Sequence, residues 1–411
     1  MSAAIAGRQE VVNFGCRLNI AEGEAVRAAA RAAGGRDRII FNSCAVTDEA
    51  VRQARQAVRR ALRERPGADV VVTGCAAELE AKRFTEMGAR VVRNDAKARA
   101  ESYGGAAVTP GTLAYAPALS GAGHARAFLG VQTGCSHRCT FCATVLARGT
   151  ARSASADAVI AAARTALDRG QREIILTGVD LASYGDDSET TLAALVEALL
   201  ALPVERLRLS SLDPDRIDDA LFALLTQEKR VMPHVHLSLQ AGDDMVLTRM
   251  KRRHRRADAV RLVERLKTAR ADIAIGADLI AGFPTEDAAM FANSLALIDD
   301  CDIVFGHIFP YSPRAGTPAA RMPQVGRAMA RQRAAALREA NGRRRHRWLD
   351  AQIGRTASML VERDGVTGHA ENFVAIRLAA AAAPGTIIDV RMTARDGDRM
   401  IATTIERDIA A

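Results

Sequence analysis

The chain has 411 residues, of which 48% are hydrophobic and 26% charged, with a net charge of +9. No apolar run approaches the roughly 18 residues that span a bilayer, residues Met1 to Arg8 offer no apolar segment suited to secretion, and 7 cysteines, odd in number and set in loops, argue against a disulfide framework. Neither a helical membrane protein nor a secreted disulfide scaffold is expected. What is expected is a cytoplasmic enzyme of about two to three domains, whose positive charge favours a polyanionic partner.

Residues 8–110 form the first expected domain. Strands are predicted near 10–15, 38–43, 69–74 and 90–92, alternating with helices Ala21–Ala33 and Asp48–Glu64. Short apolar strands alternating with helices indicate a parallel α/β sheet. Three phrases in this stretch end alike: Val11-Val-Asn-Phe-Gly-Cys16, Ile39-Ile-Phe-Asn-Ser-Cys44 and Val70-Val-Val-Thr-Gly-Cys75. Each is a buried strand running into a loop. In a parallel sheet the carboxyl ends of the strands share one edge, where ligands collect. The three cysteines are therefore expected to converge, which favours a metal cluster over three inert core thiols. Gly104 to Gly123 breaks the periodicity and reads as a linker.

Residues 121–350 repeat strand and helix. Candidate strands are Phe128–Thr133, Glu173–Thr177, Leu207–Ser211, His234–Leu239, Ile273–Ile280 and Ile303–Phe309. Such units suit a partial or full β/α barrel, with its chemistry at the carboxyl ends of the strands; an open doubly wound sheet also satisfies the pattern. Directly after the first strand comes Val131-Gln-Thr-Gly-Cys-Ser-His-Arg-Cys-Thr-Phe-Cys142. Three thiolates spaced Cys135-x3-Cys139-x2-Cys142 can hold three irons of a [4Fe–4S] cube and leave the fourth iron open. An open iron can chelate S-adenosylmethionine and pass it an electron, the cofactor carrying the hard chemistry. Structural zinc is the competing reading, but zinc usually takes four ligands, commonly two plus two, and no second close pair of cysteines exists. Cys301 has no cysteine neighbour and reads as structural. The runs Lys251-Arg-Arg-His-Arg-Arg256 and Arg343-Arg-Arg-His-Arg347 are either solvated helix faces or a nucleic-acid footprint.

Residues 351–411 change character. Strands are predicted at Ser358–Glu362, Gly368–Arg377 and Ile387–Thr393, with turns at Gly365, Gly385 and Gly397, and Ala379–Ala383 as a loop or frayed strand. A small β-barrel is expected, an architecture that often carries oligonucleotides on one face. The whole is an α/β chain with an N-terminal parallel α/β domain, a central partial (β/α) barrel and a small C-terminal β-barrel.

Six cysteines in two groups of three, over almost the whole length, resemble the radical S-adenosylmethionine methylthiotransferase family. The resemblance implies two [4Fe–4S] clusters. Cys135, Cys139 and Cys142 match the ligands of the radical-generating one, and Cys16, Cys44 and Cys75 those of the auxiliary one. The C-terminal part resembles the family's RNA-binding TRAM barrel through Gly354-Arg-Thr356 and Val361-Glu362. Three phrases resemble the branch acting on N6-threonylcarbamoyladenosine in tRNA: Leu176-Thr-Gly-Val-Asp-Leu-Ala-Ser-Tyr-Gly185, His307-Ile-Phe-Pro-Tyr-Ser-Pro-Arg-Ala-Gly-Thr-Pro318 and Gly368-His-Ala-Glu-Asn-Phe373. One departure is that Ala143-Thr-Val-Leu-Ala-Arg-Gly149 lacks the proline the family usually has after the third cysteine. The resemblance implies S-adenosylmethionine contacts at Gly178, Ser210, Ser211 and Gln240, with Gly276 to Pro284 flanking the adenine; ordinary strand-end and turn chemistry is the competing reading of each. The implied partners are the tRNA anticodon loop, an electron donor such as flavodoxin or ferredoxin, and a sulfur source. The competing functions are methylthiolation of isopentenyladenosine in tRNA or of an aspartate in a ribosomal protein, and a non-catalytic iron–sulfur RNA-binding protein.

Overall fold

The computed structural model describes residues 8–105, 115–121 and 125–405. Strands β1 (Gln9–Asn13), β2 (Arg38–Ser43), β3 (Asp69–Gly74) and β4 (Arg90–Val91) form a parallel sheet in that order. Helices α1 (Arg17–Ala33) and α2 (Asp48–Glu64) cover opposite faces. Ile39, Phe41, Val70 and Val72 meet Val51 and Val58 of α2, while Ile40 and Val71 meet Val26 and Ala30 of α1. Burial on both faces is why these strands read as unbroken apolar runs. Thr47 caps α2 through Oγ1, which accepts from the Ala50 amide at 3.1 Å. Two short helices, α3 (Cys75–Leu79) and α4 (Ala81–Glu86), follow β3.

The linker expectation needs correcting where it can be judged. Residues 106–114 and 122–124 lie outside the described residues, but Ala118–Leu119 is a strand, β5, paired antiparallel with β6 (Arg126–Gly130). The predicted strand Phe128–Thr133 also divides. At Val131 the chain leaves the sheet, and β7 (Gln132–Thr133) pairs with β8 (Arg152–Ser153), beyond helix α5 (Thr144–Arg148). This small hairpin-like brace closes the base of the cysteine loop.

Five more parallel strands continue the central layer: β9 (Glu173–Thr177), β10 (Arg206–Leu209), β11 (His234–Gln240), β12 (Ala274–Ala281) and β13 (Ile303–Pro310). They form sheets of order β10-β9-β6-β5 and β11-β12-β13, bridged at Leu207–Val231 and Leu212–Leu237. Among the described residues β13 does not pair with β6, so the barrel is partial. Ile174, Leu176, Leu207, Leu209, Val235, Leu237, Ile275 and Ala277 share one core with the outer helices. With a side-chain period of two, Glu173, Arg206, Arg208, His234, His236 and Asp278 face the other way, into a polar lumen. Cys301 is fully buried in the outer core, as a structural residue.

Five C-terminal strands close a barrel in the order β14-β15-β16-β18-β17: β14 (Thr356–Val361), β15 (Thr367–Ala370), β16 (Ala375–Leu378), β17 (Ile387–Asp396) and β18 (Arg399–Thr404). The predicted strand Gly368–Arg377 is thus two strands, and β18 was missed although Met400 and Ala402 alternate into the core. Ala379–Ala383 lies outside the strands. Between β15 and β16 the turn holds Phe373 at φ +71°, costly for an aromatic residue. The Phe373 ring reaches the base of the central lumen, 4.9 Å from the His234 ring and 5.9 Å from that of Phe305. There Arg208 bonds Glu173 at 3.1 Å and donates to the carbonyl of Glu371 at 3.0 Å, Arg206 donates to Ser358 Oγ at 2.7 Å, and Arg126 pairs with Glu362. Phe373→Ala is expected to cost ~3 kcal/mol, the lower end for Phe truncation because the ring is only half-buried; a urea titration followed by tryptophan fluorescence measures it.

The basic runs are largely committed within the fold. Arg253 pairs with Asp215 at 3.8 Å and Arg256 with Asp300. Along the helix Arg327–Asp350, Arg343 pairs with Glu339, Arg344 with Asp302, Arg345 and His346 with Asp398, and Arg347 with Asp299. No helix among the described residues is long and apolar enough to cross a membrane.

Candidate functional site

The parallel register of β1, β2 and β3 brings Asn13 beside Asn42 and Ser43 beside Gly74, so Cys16, Cys44 and Cys75 leave the same edge. Two of the three follow glycines of positive φ, Gly15 at +90° and Gly74 at +91°. A Cβ on Gly15 would lie 2.5 Å from Cys44 Cβ, and one on Gly74 2.3 Å from the Ser43 carbonyl. Only glycine permits both the turn and that approach. Asn19 ties the edge by donating to the carbonyls of Phe14 at 2.8 Å and Ser43 at 3.2 Å. Cys16 is exposed, Cys44 buried and Cys75 intermediate. Burial pushes the Cys44 thiol up to about 11, and Cys16 and Cys75 are close enough to add to the rise.

The second trio is built in the same way. Gly134 has φ +73°, and a Cβ there would lie 1.9 Å from the Thr150 carbonyl. The Cys135 amide donates to the Gly149 carbonyl at 3.1 Å. Thr140 donates from its amide to Met250 at 3.1 Å and from Oγ1 to the Arg249 carbonyl at 2.7 Å. Phe141 packs edge-on against Phe283 with centroids 6.4 Å apart. The missing proline leaves room for α5, which begins two residues after Cys142. Burial pushes the thiols of Cys135 and Cys139 up to about 12 and 11.

Neither trio draws its three sulfurs together for a single ion, since among the described residues the one His/Cys/Asp/Glu group with ligand atoms all within 4.8 Å is His236, Asp278 and His307. Tetrahedral zinc with Zn–S bonds of about 2.3 Å would need sulfurs about 3.8 Å apart. Three thiols without a fourth protein ligand are instead the donor set of an iron–sulfur cube with one open iron. Each trio also has a guanidinium at hand, which lowers the cost of thiolate charge: Arg148 Nε is 3.1 Å from Cys75 Sγ, and Arg252 Nη1 is 3.4 Å from Cys139 Sγ. The residues present therefore fit an open-cornered iron–sulfur cube at each place.

Arg148 joins the two trios. It donates to Glu22 Oε1 and Oε2 at 2.7 and 2.9 Å, to Asn19 Oδ1 at 2.8 Å and to Thr133 Oγ1 at 3.1 Å. Lys97 adds a 2.6 Å bond to Glu22. Burial alone would raise the Glu22 carboxyl, but Arg148 and Lys97 overcome it and hold the group at about 2. Glu22→Leu would leave two buried cations without an anion, at an expected cost of about 3–5 kcal/mol; chemical denaturation of the variant beside the parent checks this. Sequence reasoning passed over Glu22 and Arg148. It also read Arg252 as part of a surface run, whereas Arg252 bonds Asp213 at 2.6 Å and the Ser238 carbonyl at 2.8 Å beneath Cys139.

The residues expected to contact S-adenosylmethionine fall unevenly. Gly178 lies on the loop after β9, where Gln132 Oε1 accepts from the amides of Val179 and Asp180 at 3.0 and 2.9 Å, and Asp180 Oδ2 is 3.4 Å from Cys135 Sγ. A Cβ on Gly178 would meet Gln132 Oε1 at 2.8 Å. Ser210 is buried and its Oγ has no hydrogen-bond partner, an orphan that a bound polar ligand would satisfy. Ser211 is half-buried and has no comparable feature. Gln240 ends β11 at φ +70°, backbone strain of the kind found at ligand sites.

Comparison with known proteins follows this division. Residues 129–298 match the model of the radical SAM superfamily, and residues 8–93 that of uncharacterized protein family UPF0004. The chain is 39% identical over 402 residues to a threonylcarbamoyladenosine tRNA methylthiotransferase, MtaB, of Rickettsia prowazekii, covering 94% of each chain. It is 31% identical to the protein of that name in Chlamydia pneumoniae, covering 98% and 99%. A tRNA-2-methylthio-N(6)-dimethylallyladenosine synthase of Ruegeria pomeroyi is 31% identical, covering 86% and 88%. Among solved structures, the radical S-adenosylmethionine methyltransferase TsrM of Kitasatospora setae aligns over 76% of this chain and 74% of its own, with a TM-score of 0.54 at 15% identity, a likeness of fold.

Proposed function

The chain belongs to the radical S-adenosylmethionine methylthiotransferase family, and on that premise we propose that it places a methylthio group on C2 of N6-threonylcarbamoyladenosine beside the tRNA anticodon. The pair of cysteine trios, joined through the buried Arg148, carries the methylthiotransferase chemistry, and the 39% identity over 402 residues to the threonylcarbamoyladenosine enzyme of Rickettsia prowazekii supports the substrate. When bound, the iron–sulfur groups supply one-electron cleavage of S-adenosylmethionine at Cys135, Cys139 and Cys142, and an open iron for sulfur at Cys16, Cys44 and Cys75.

The protein's own residues have distinct tasks. The glycine turns at Gly15, Gly74 and Gly134 set the thiols. Arg148 and Arg252 offset negative charge beside them. Gly178 and Ser210 offer backbone and hydroxyl groups to S-adenosylmethionine at the mouth of the lumen, with Ser211 and Gln240 as weaker candidates. A flavodoxin or ferredoxin would deliver electrons and a separate sulfur source would recharge the auxiliary site, in the cytoplasm. The target adenine leaves its stack to reach the lumen, at a cost of a few kcal/mol that is smallest in a single-stranded loop.

The C-terminal barrel is the proposed tRNA platform. Arg355, Arg363, Arg377 and Arg399 are exposed there, and none is ion-paired among the described residues. If they meet phosphates, changing Arg377 to Ala should weaken tRNA binding similarly across sequences and reduce the slope of log K against log salt by about 1. Fluorescence anisotropy of labelled tRNA at several salt concentrations measures this; an unchanged slope removes Arg377 from the contact. The overall reading is tested by giving the anaerobically reconstituted enzyme tRNA that bears threonylcarbamoyladenosine or isopentenyladenosine. Product is expected on the first.

A further inference from the structure

The base of the central lumen holds four guanidiniums, from Arg17, Arg126, Arg206 and Arg208. Three carboxylates face them. Glu173 binds Arg208 at 3.1 Å and lies 3.8 Å from Arg206, Glu362 pairs with Arg126, and Glu371 acts on Arg206 while accepting from the Ser358 amide at 3.0 Å. Asp278, higher in the lumen, is shared by His236 at 3.2 Å and His307 at 3.4 Å.

Arg17 is left over. Among the described residues it makes no hydrogen bond and no ion pair. Its guanidinium lies 5.4 Å from the centre of the Phe373 ring, a ring already flanked by Arg208 at 4.9 Å and Arg126 at 5.9 Å. Both arginines repel it, and Glu173, the carboxylate that acts on it favourably, is already engaged by Arg208. It opens α1, whose first turn has no acidic residue, so the helix terminus adds positive potential. Within the chain, a half-buried cation with no carboxylate partner of its own costs desolvation. A planar guanidinium is suited to a carboxylate, which it binds through two parallel hydrogen bonds. The position is informative too, because Arg17 directly follows Cys16 and faces the lumen that the target base must enter.

We propose that Arg17 binds the carboxylate of the threonylcarbamoyl substituent and so selects an acidic N6 group over a neutral one. This rests on the substrate reading above and names the residue that would enforce it. The adenine would lie with C2 toward the cysteine edges and its N6 substituent toward Phe373 and Arg17.

The test compares two anticodon stem-loop RNAs, one bearing threonylcarbamoyladenosine and the other its carboxylate methyl ester, with reconstituted holoenzyme. The wild-type chain is expected to prefer the acid by roughly tenfold or more in kcat/KM, the worth of a charge-assisted bond. Arg17→Ala should bring that ratio to about one, and Arg17→Lys should keep part of it. The ratio is internal to each variant, so differences in cluster loading cancel. A ratio unchanged in Arg17→Ala overturns the proposal; this includes an equal loss on both RNAs, the result if Arg17 met a backbone phosphate or S-adenosylmethionine. A wild-type enzyme that modifies both RNAs equally overturns it without any variant. Failure of the wild type on both RNAs would instead remove the substrate reading itself.

Discussion

A variant with Cys16, Cys44 and Cys75 all changed to Ala is expected to form no methylthio product while 5′-deoxyadenosine remains detectable. The two trios are carried by different sheets, the first by the edge of β1, β2 and β3 and the second by the loop after β7. The second loop keeps its own anchors in this variant: Cys135 to Gly149, and Thr140 to Arg249 and Met250. Its link to the first trio loses one acceptor, Cys75, but Arg148 retains Glu22, Asn19 and Thr133. Product should fall by about a thousandfold or more, over 4 kcal/mol in the barrier, against a smaller change in cleavage. Liquid chromatography of both products from one reaction gives the comparison. Product at the parent rate would show that the first trio is not the sulfur site.

Changing Cys135, Cys139 and Cys142 together to Ala should abolish both 5′-deoxyadenosine and methylthio product. It should also lower the iron content from about eight to about four per chain, the amounts held by two cubes and by one. The remaining iron belongs to the N-terminal edge, which Asn19, Asn42 and Ser43 hold without help from the loop. Iron unchanged in this variant would contradict the assignment of the second trio.

Most of the fold could be read from the chain because its local signals agree with its burial. The runs ending at Cys16, Cys44 and Cys75 are continuous and β-branched since helices cover both faces of the sheet, and their in-phase ends are what brought three distant cysteines to one edge. The central strands were visible for the same reason. Their boundaries were less so: at Val131 the amide still donates to the Thr177 carbonyl while its own carbonyl accepts from the Ala154 amide, a hand-over between sheets that no local pattern encodes. In the C-terminal barrel, β15 and β16 were read as one strand because Phe373 turns the chain at a positive φ usually left to glycine or asparagine.

The chemistry was legible where it resides in cysteine spacing and hidden where it resides in partners from distant segments. Glu22, Lys97 and Arg148 come from three separate stretches and look like surface charges until they meet. Arg252 was obscured by the basic run around it, and so was the fact that Arg253, Arg256 and Arg343 to Arg347 are occupied by acidic neighbours. Arg17 gave no signal at all, since the absence of a counter-ion is a property of the folded lumen.

The most direct measurement is nucleoside mass spectrometry of total tRNA from a strain lacking this gene, beside the same strain carrying it again. The account predicts loss of the 2-methylthio form of N6-threonylcarbamoyladenosine, accumulation of the unmodified nucleoside and recovery on complementation. Persistence of that methylthio form, with loss of the isopentenyl counterpart instead, would contradict it.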